Sequence, residues 1–361
     1  MLGNQDSRSN GLVASIDWLA FTSTYVTSAE EMMEFLGYFT GDFQAMPKGA
    51  HGYKKMYRLN DYPVTILSDG TPEMGVHVVI TGSAVEDVLK HFKHSVEMNY
   101  TTPFTGDELV PVLSDFNNTI MVEFLHQVRK IGWFTRVDLA VDDHGARFFT
   151  VEDVRTYIDR QEVVSKFRSF RDTYESTLTG ESTGRTLYLG SRQSEVMLRI
   201  YDKQLEQNKK AVDEADIVKD AWIRWELELK NERANIAVDK LIQKKELGDL
   251  IMEILNNYVK IVVLDDSNRS RCSALPLWEA FVGAVGQLRL FVEQSKKSLK
   301  EKKNWLIRQC LPTIAGVIIA DGGTFDIITK HFDDAVIRMS PHLQRLVTEA
   351  NPDWRNCMDI A

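Results

Sequence analysis

Three stretches of this chain read as β-strands with charge on one face and hydrocarbon on the other, and this pairing constrains the fold more than any other feature. In residues 135–142, Val137, Leu139 and Val141 alternate with Arg136, Asp138, Ala140 and Asp142. In residues 196–203, Val196, Leu198 and Ile200 alternate with Arg199, Tyr201 and Lys203. In residues 223–230, Ile223, Trp225, Leu227 and Leu229 alternate with Arg224, Glu226, Glu228 and Lys230. A period of two marks a strand that buries one face. Acidic residues are poor strand formers, and local conflicts of that kind concentrate at functional sites. If the three strands share one sheet and one polar side, Asp138, Asp142, Glu226 and Glu228 surround Tyr201.

That constellation has a chemical reading. A phenol between two cations is expected to favour its phenolate, which makes a tyrosine nucleophilic, and the same cations suit a phosphate. Carboxylates without soft ligands favour Mg2+ or Mn2+, which can polarise a phosphoryl oxygen during an in-line displacement. The plain alternative is a half-buried strand tyrosine on a solvated face of cross-strand ion pairs, each contributing about 0.2–1 kcal/mol. The residues alone leave both readings open.

Several runs together carry a resemblance. These are residues 16–21 (IDWLAF), 75–82 (GVHVVITG), 136–143 (RVDLAVDD) and 184–191 (GRTLYLGS), followed by Arg199-Ile200-Tyr201-Asp202-Lys203. From about Ser15 to its end the chain resembles the replication initiation factor family, which holds rolling-circle initiators of plasmids and filamentous phages and relaxases of integrative conjugative elements. The resemblance implies an enzyme that nicks one DNA strand at an origin and rejoins it. Tyr201 matches the family's nucleophile, which would attack a phosphodiester, hold the 5′ phosphate and free a 3′ hydroxyl. Asp138 and Glu226 carry over as ligands of Mg2+ or Mn2+, with Asp142 and Glu228 as further candidates and Arg199 and Lys203 steadying the phosphate or the phenolate. The partner implied is origin DNA, a supercoiled duplex with an extruded single-stranded nick site. A host helicase and a homodimer are partner options that the resemblance leaves open. Many rolling-circle nucleases bind metal through a His-x-His pair, which this chain lacks, so carboxylates, with His77 as an accessory, have to substitute. Alternatives are a non-enzymatic, sequence-specific DNA-binding regulator, a conjugative-element relaxase, or a metal nuclease that uses water.

Composition fits a globular protein: 43% hydrophobic and 10% aromatic residues in a chain of 361. No run of eighteen apolar residues and no basic-then-apolar leader is present, so a cytoplasmic protein without membrane contact is expected. Cys272, Cys310 and Cys357 are odd in number and widely spaced, which suits reduced thiols. A net charge of −9 repels DNA at long range, so binding has to rest on local patches. Lys166, Arg168 and Arg171 interleave with Phe167 and Phe170 in a stacking-groove pattern, and Arg185 and Arg192 lie on the following hairpin. Lys296, Lys297, Lys300, Lys302 and Lys303 read as a solvated helix face. There is no glycine-rich phosphate loop.

The order of elements repeats. A strand at 15–22, a helix capped from Thr27, strands at 53–59, 63–68 and 75–81 and a helix from Ser83 are echoed by a strand at 135–142, a helix capped at Thr150, strands at 185–190, 195–202 and 222–230 and a helix from about Asn235. The expected fold is therefore α+β: an antiparallel-sheet nuclease region built from a duplicated β-α-β-β-β-α unit, followed by a small helical domain. Expected boundaries are a flexible N-terminus over 1–12, a supporting or DNA-binding unit over 13–130, a catalytic unit over 131–264 and a helical domain over 265–361. Trp278, Phe281 and Trp305 are expected in the core of that last domain. In this alignment Asp17 mirrors Asp138, and His77 falls where the second unit has acidic residues.

Overall fold

A computed structural model describes residues 11–100, 116–286 and 311–337, apart from 61, 210, 212–216 and 244, together with scattered residues between 303 and 352. The first half runs β1 (Leu12–Ser23), α1 (Ala29–Phe35), β2 (Phe43–Ala45), β3 (Lys55–Leu59), β4 (Val64–Ser68), β5 (Val76–Thr81) and α2 (Ala84–Tyr100). After α3 (Phe116–Ile131) come β6 (Gly132–His144), α4 (Val151–Asp159), β7 (Val163–Ser165), β8 (Phe170–Ser176), β9 (Ser182–Leu189), β10 (Val196–Asp202), α5 (Lys203–Asn208), β11 (Trp222–Lys230) and α6 (Asn231–Ile242). Then follow α7 (Leu247–Tyr258), β12 (Val259–Ile261) and α8 (Pro276–Gly286). In the C-terminal unit, α9 (Leu311–Ala320) and α10 (Asp326–Ile337) are separated by a turn holding Gly322 and Gly323, both at positive φ.

Ten strands form one antiparallel sheet in the order β2-β3-β4-β5-β1-β6-β11-β10-β9-β8. Read outward from the β1–β6 pair, both halves have the same order, so the duplicated unit is visible in the topology. Each half adds one edge strand, β2 or β8, to the three expected. The register makes Trp18, which pairs with both Thr81 and Asp138, the counterpart of Asp138. Asp17 sits in a β-bulge beside it, so the equivalence expected from sequence is off by one residue. His77 corresponds to Arg224, not to an acid, and its Nδ1 shares a 2.9 Å hydrogen bond with Thr22 Oγ1.

Helices cover the apolar side. Alternation sends Val137, Leu139, Val141, Leu198, Ile200, Trp225 and Leu227 into one core with Met32, Val88, Phe124, Val154, Val238 and Ile251 from the helices. Ser28 caps α1 by accepting from Glu31 N, and Thr150 and Asp153 form the expected capping box on α4. The boundary near residue 265 is where expectation and structure part. Residues 269–271 form a 3-10 turn whose Arg269 donates to Val163 O, and α8 returns to the sheet. Trp278 and Phe281 pack their rings at tilted and edge-on angles against Phe149 and Trp225, so they belong to the main core, and the compact unit runs to Glu293. Trp305 and the lysines at 296, 297, 300 and 302 lie outside the described residues.

Candidate active site

The opposite side of the sheet carries the alternating charges. Antiparallel pairing aligns Tyr201 with Arg224 and Asp142 in one row, Arg199 with Glu226 and Ala140 in the next, and Glu228 with Asp138 beyond. All four expected acidic residues are buried, with Asp138 fully inaccessible. Buried carboxylates need partners, and each has them. Arg136 binds Asp138 through Nε at 2.8 Å and Nη2 at 2.5 Å, and reaches Glu228 at 2.8 Å. Lys230 Nζ binds the other Glu228 oxygen at 2.6 Å. Arg224 donates from Nε and Nη2 to the two Asp142 oxygens, each at 2.7 Å, and from Nη1 to Asp17 Oδ1 at 2.5 Å. Trp222 Nε1 adds a 2.6 Å bond to Asp142 Oδ1.

Asp142 is held by Arg224 and Glu228 by Arg136 and Lys230, while Asp138 and Glu226, equally buried, share a third arginine. Arg199 Nη2 bridges them, 3.1 Å from Asp138 Oδ2 and bonded to Glu226 Oε1. Its Nε is buried without a hydrogen-bond partner. Burial, reinforced by the neighbouring Glu226 charge, pushes Asp138 up to about 8 against the pull of Arg136. Among the described residues no three acidic, imidazole or thiol groups converge as a metal cage. The donor chemistry of the Asp138–Glu226 pair nevertheless suits a hard cation: two buried carboxylates whose repulsion is relieved by one shared positive group. Mg2+ is commonly held by one or two carboxylates, with water and substrate phosphate completing the shell.

Tyr201 Oη donates to Glu226 Oε2 at 3.1 Å. The expectation that flanking cations lower its pKa is overturned. Burial, then the Glu226 charge, raises it, and Arg224 opposes them only in part. The strand ends at Asp202, which caps α5, so Lys203 opens a helix, is buried and binds Glu206 at 2.6 Å. Its ammonium stands 5.5 Å from the centre of the Tyr201 ring. At rest the nucleophile candidate is a phenol beside a carboxylate acceptor.

A model of the family described as replication initiation factor matches residues 132–332, more than half of the chain. The chain belongs to the replication initiation factor family. It is 31% identical over 314 residues, 86% of this chain and 82% of the relative, to a protein of Bacillus subtilis (strain 168) named as the DNA relaxase NicK. The solved structure of a rolling circle replication initiator protein from Geobacillus stearothermophilus shares its fold, with a TM-score of 0.63 at 24% identity, covering 79% of this chain and all of that one. No helix among the described residues of this chain is long and apolar enough to cross a membrane.

The residues expected to contact DNA separate into two groups. Phe167 stacks on Tyr258 with ring centroids 5.1 Å apart near the β7–β12 ladder, and Lys166, exposed, binds Asn257. Arg185 is tied to Asp172 and Glu152. Arg168 and Arg192 are exposed. Arg171, also exposed, lies over the Tyr188 ring at 4.3 Å, and Tyr188 pairs with Arg199. Arg171 is thus the one of this group that adjoins the Arg199 row of the candidate site. The sequence assigns no role to Arg224, Trp222 or Arg136, and it places Asp17 only as the mirror of Asp138. The alternation of residues 222–230 with those at 136–142 was the available signal, because cations and acids occur at matching positions on strands that pair.

Proposed function

We propose that this protein cuts and rejoins one strand of DNA through a covalent tyrosine–phosphate intermediate. The observation that carries the reading is the hydrogen bond from Tyr201 Oη to Glu226 Oε2, beside the Arg199-bridged Asp138–Glu226 pair. A phenol raised in pKa is a poor nucleophile until it loses its proton, so transfer to Glu226 accompanies attack. Tyr201 Oη bonds to phosphorus, the bond from phosphorus to the 3′ oxygen breaks, and the strand's 5′ phosphate remains on the enzyme. The freed 3′ oxygen takes a proton and becomes a hydroxyl that can prime synthesis. Rejoining reverses these steps. Arg199, with an unsatisfied buried Nε, is placed to turn from the carboxylates toward phosphate. Asp138 and Glu226 would hold Mg2+ or Mn2+, whose contribution is to polarise the phosphoryl oxygen. Similarity to a named DNA relaxase and the fold shared with a rolling circle replication initiator support the substrate class.

A covalent-trapping assay tests the proposal. Supercoiled DNA carrying the protein's own gene region is incubated with wild type, Tyr201→Phe and Glu226→Gln, with Mg2+, with Mn2+ and with chelator. A denaturation-resistant adduct on the 5′ phosphate that disappears in Tyr201→Phe supports the tyrosine. Nicking that survives Tyr201→Phe transfers the chemistry to water, and specific binding without any nicking favours a regulator.

A further inference from the structure

One aromatic pair borders the reacting group and has no part in the chemistry above. Trp222 and His144 are register partners at the ends of β11 and β6, on the same side of the sheet as Arg224 and Asp142. Their rings lie 4.7 Å apart at 35°. The indole is fixed by its bond to Asp142 Oδ1, with the Arg224 guanidinium 5.8 Å from its ring centre. His144 is exposed, so the outer member of the stack faces solvent. Tyr201 pairs directly with Arg224, which places Trp222 one strand over and two residues along, on the order of 8 Å between backbones.

A tilted aromatic pair with an exposed outer ring, anchored to a buried ion pair beside Tyr201, has the form of a base platform. Every nucleobase has a π-face, and stacking on aromatic side chains is how strands are held without sequence readout. The carboxylates under the row repel phosphate, so they favour a strand that is gripped by its bases on one side of the scissile bond. We infer that the Trp222–His144 stack is a shelf for an unpaired nucleobase next to the nicked phosphate, an inference that rests on the nuclease reading for its biological setting. Both residues are positioning residues. They hold the strand and touch no reacting atom.

The test uses the full-length protein and two fluorescein-labelled probes, a twenty-residue oligothymidylate and an abasic deoxyribose-phosphate strand of equal length. Anisotropy gives the affinity for each at one fixed salt concentration. Wild type should prefer the base-bearing strand, and the ratio of affinities should fall about tenfold in His144→Ala and in Trp222→Leu, a loss of one stacked base. His144→Phe and Trp222→Phe should retain the ratio, because a phenyl ring still stacks. Affinity for the abasic strand should be unchanged in all four. An unchanged ratio in His144→Ala, or equal losses on both probes, overturns the shelf. Because His144 is exposed, that variant keeps the test valid if Trp222→Leu fails to fold. Covalent adduct formation by the same preparations is scored separately. A base-dependent ratio without any Tyr201 adduct keeps the shelf and removes the nuclease reading, and an adduct with no ratio effect does the opposite.

Discussion

Asp138→Asn offers a direct measure of how the site handles its charge. Asp138 is fully buried beside Glu226, and its folded-state pKa stands near 8 against an ordinary value of 3.8. Between those values the folded protein holds a proton that the unfolded chain has released. The pKa is raised, so the stabilising effect of that proton is complete below the unfolded value and is lost as pH rises through the folded one. Each pH unit inside the window lowers stability by about 1.4 kcal/mol, so wild type should lose about 3 kcal/mol between pH 5 and pH 7 from this group. Asparagine keeps the shape of the neutral acid and does not titrate. Urea unfolding of both proteins at pH 5, 6 and 7 should therefore show Asp138→Asn gaining on wild type by about 3 kcal/mol over the range, with groups common to both cancelling. Parallel stability profiles would refute the reasoning, because they would mean that Arg136 and Arg199 keep Asp138 ionised throughout.

Removing Arg224 as Arg224→Met strands Asp142 and Asp17 without a cation and should cost about 3–5 kcal/mol in urea unfolding, with part regained in the double variant with Asp142→Leu. Tyr201→Phe should abolish the covalent adduct while changing stability by only about 1 kcal/mol, the worth of one hydrogen bond to Glu226. Trp278→Ala should lower the stability of the sheet unit by about 3–5 kcal/mol, since this indole sits in the same core as Trp225; a loss under 1 kcal/mol would return α8 to a separate domain. Arg171→Ala should weaken oligonucleotide binding and reduce the slope of affinity against salt by about one phosphate contact, whereas Arg185→Ala should leave that slope unchanged.

The strands of the site were legible because period-two alternation is a strong local signal, and the capping box at Thr150 and Asp153 was legible because it needs only four residues. The pairing of carboxylates with arginines was not. Arg136 and Asp138 share a strand face in the sequence, yet nothing local says that Arg136 also reaches Glu228 or that Arg224 reaches Asp17, 207 residues away. Lys203 misled because alternation was extended one residue past the true strand end, where Asp202 acts as a helix cap. Phe167 reads as part of a stacking groove because it stands among arginines, and nothing local shows that Tyr258, distant in sequence, stacks on it. The boundary expected at 265 falls beside the polar turn at 269–271, and polar residues mark turns and linkers alike.

The central β1–β6 ladder has a further consequence. Two equivalent strands that pair antiparallel reproduce the contact of an isologous dimer, in which one patch meets its own copy across a two-fold axis. The ten-stranded sheet is therefore the shape that two separate molecules of a five-stranded ancestor would make, here written into a single polypeptide. In a true homodimer every substitution appears twice, so a reactive tyrosine on one side obliges the same tyrosine on the other. Covalent fusion removes that obligation. Leu67 can stand where its counterpart is Tyr201, and Trp18 where its counterpart is Asp138, so the candidate site occupies one half of a symmetric frame.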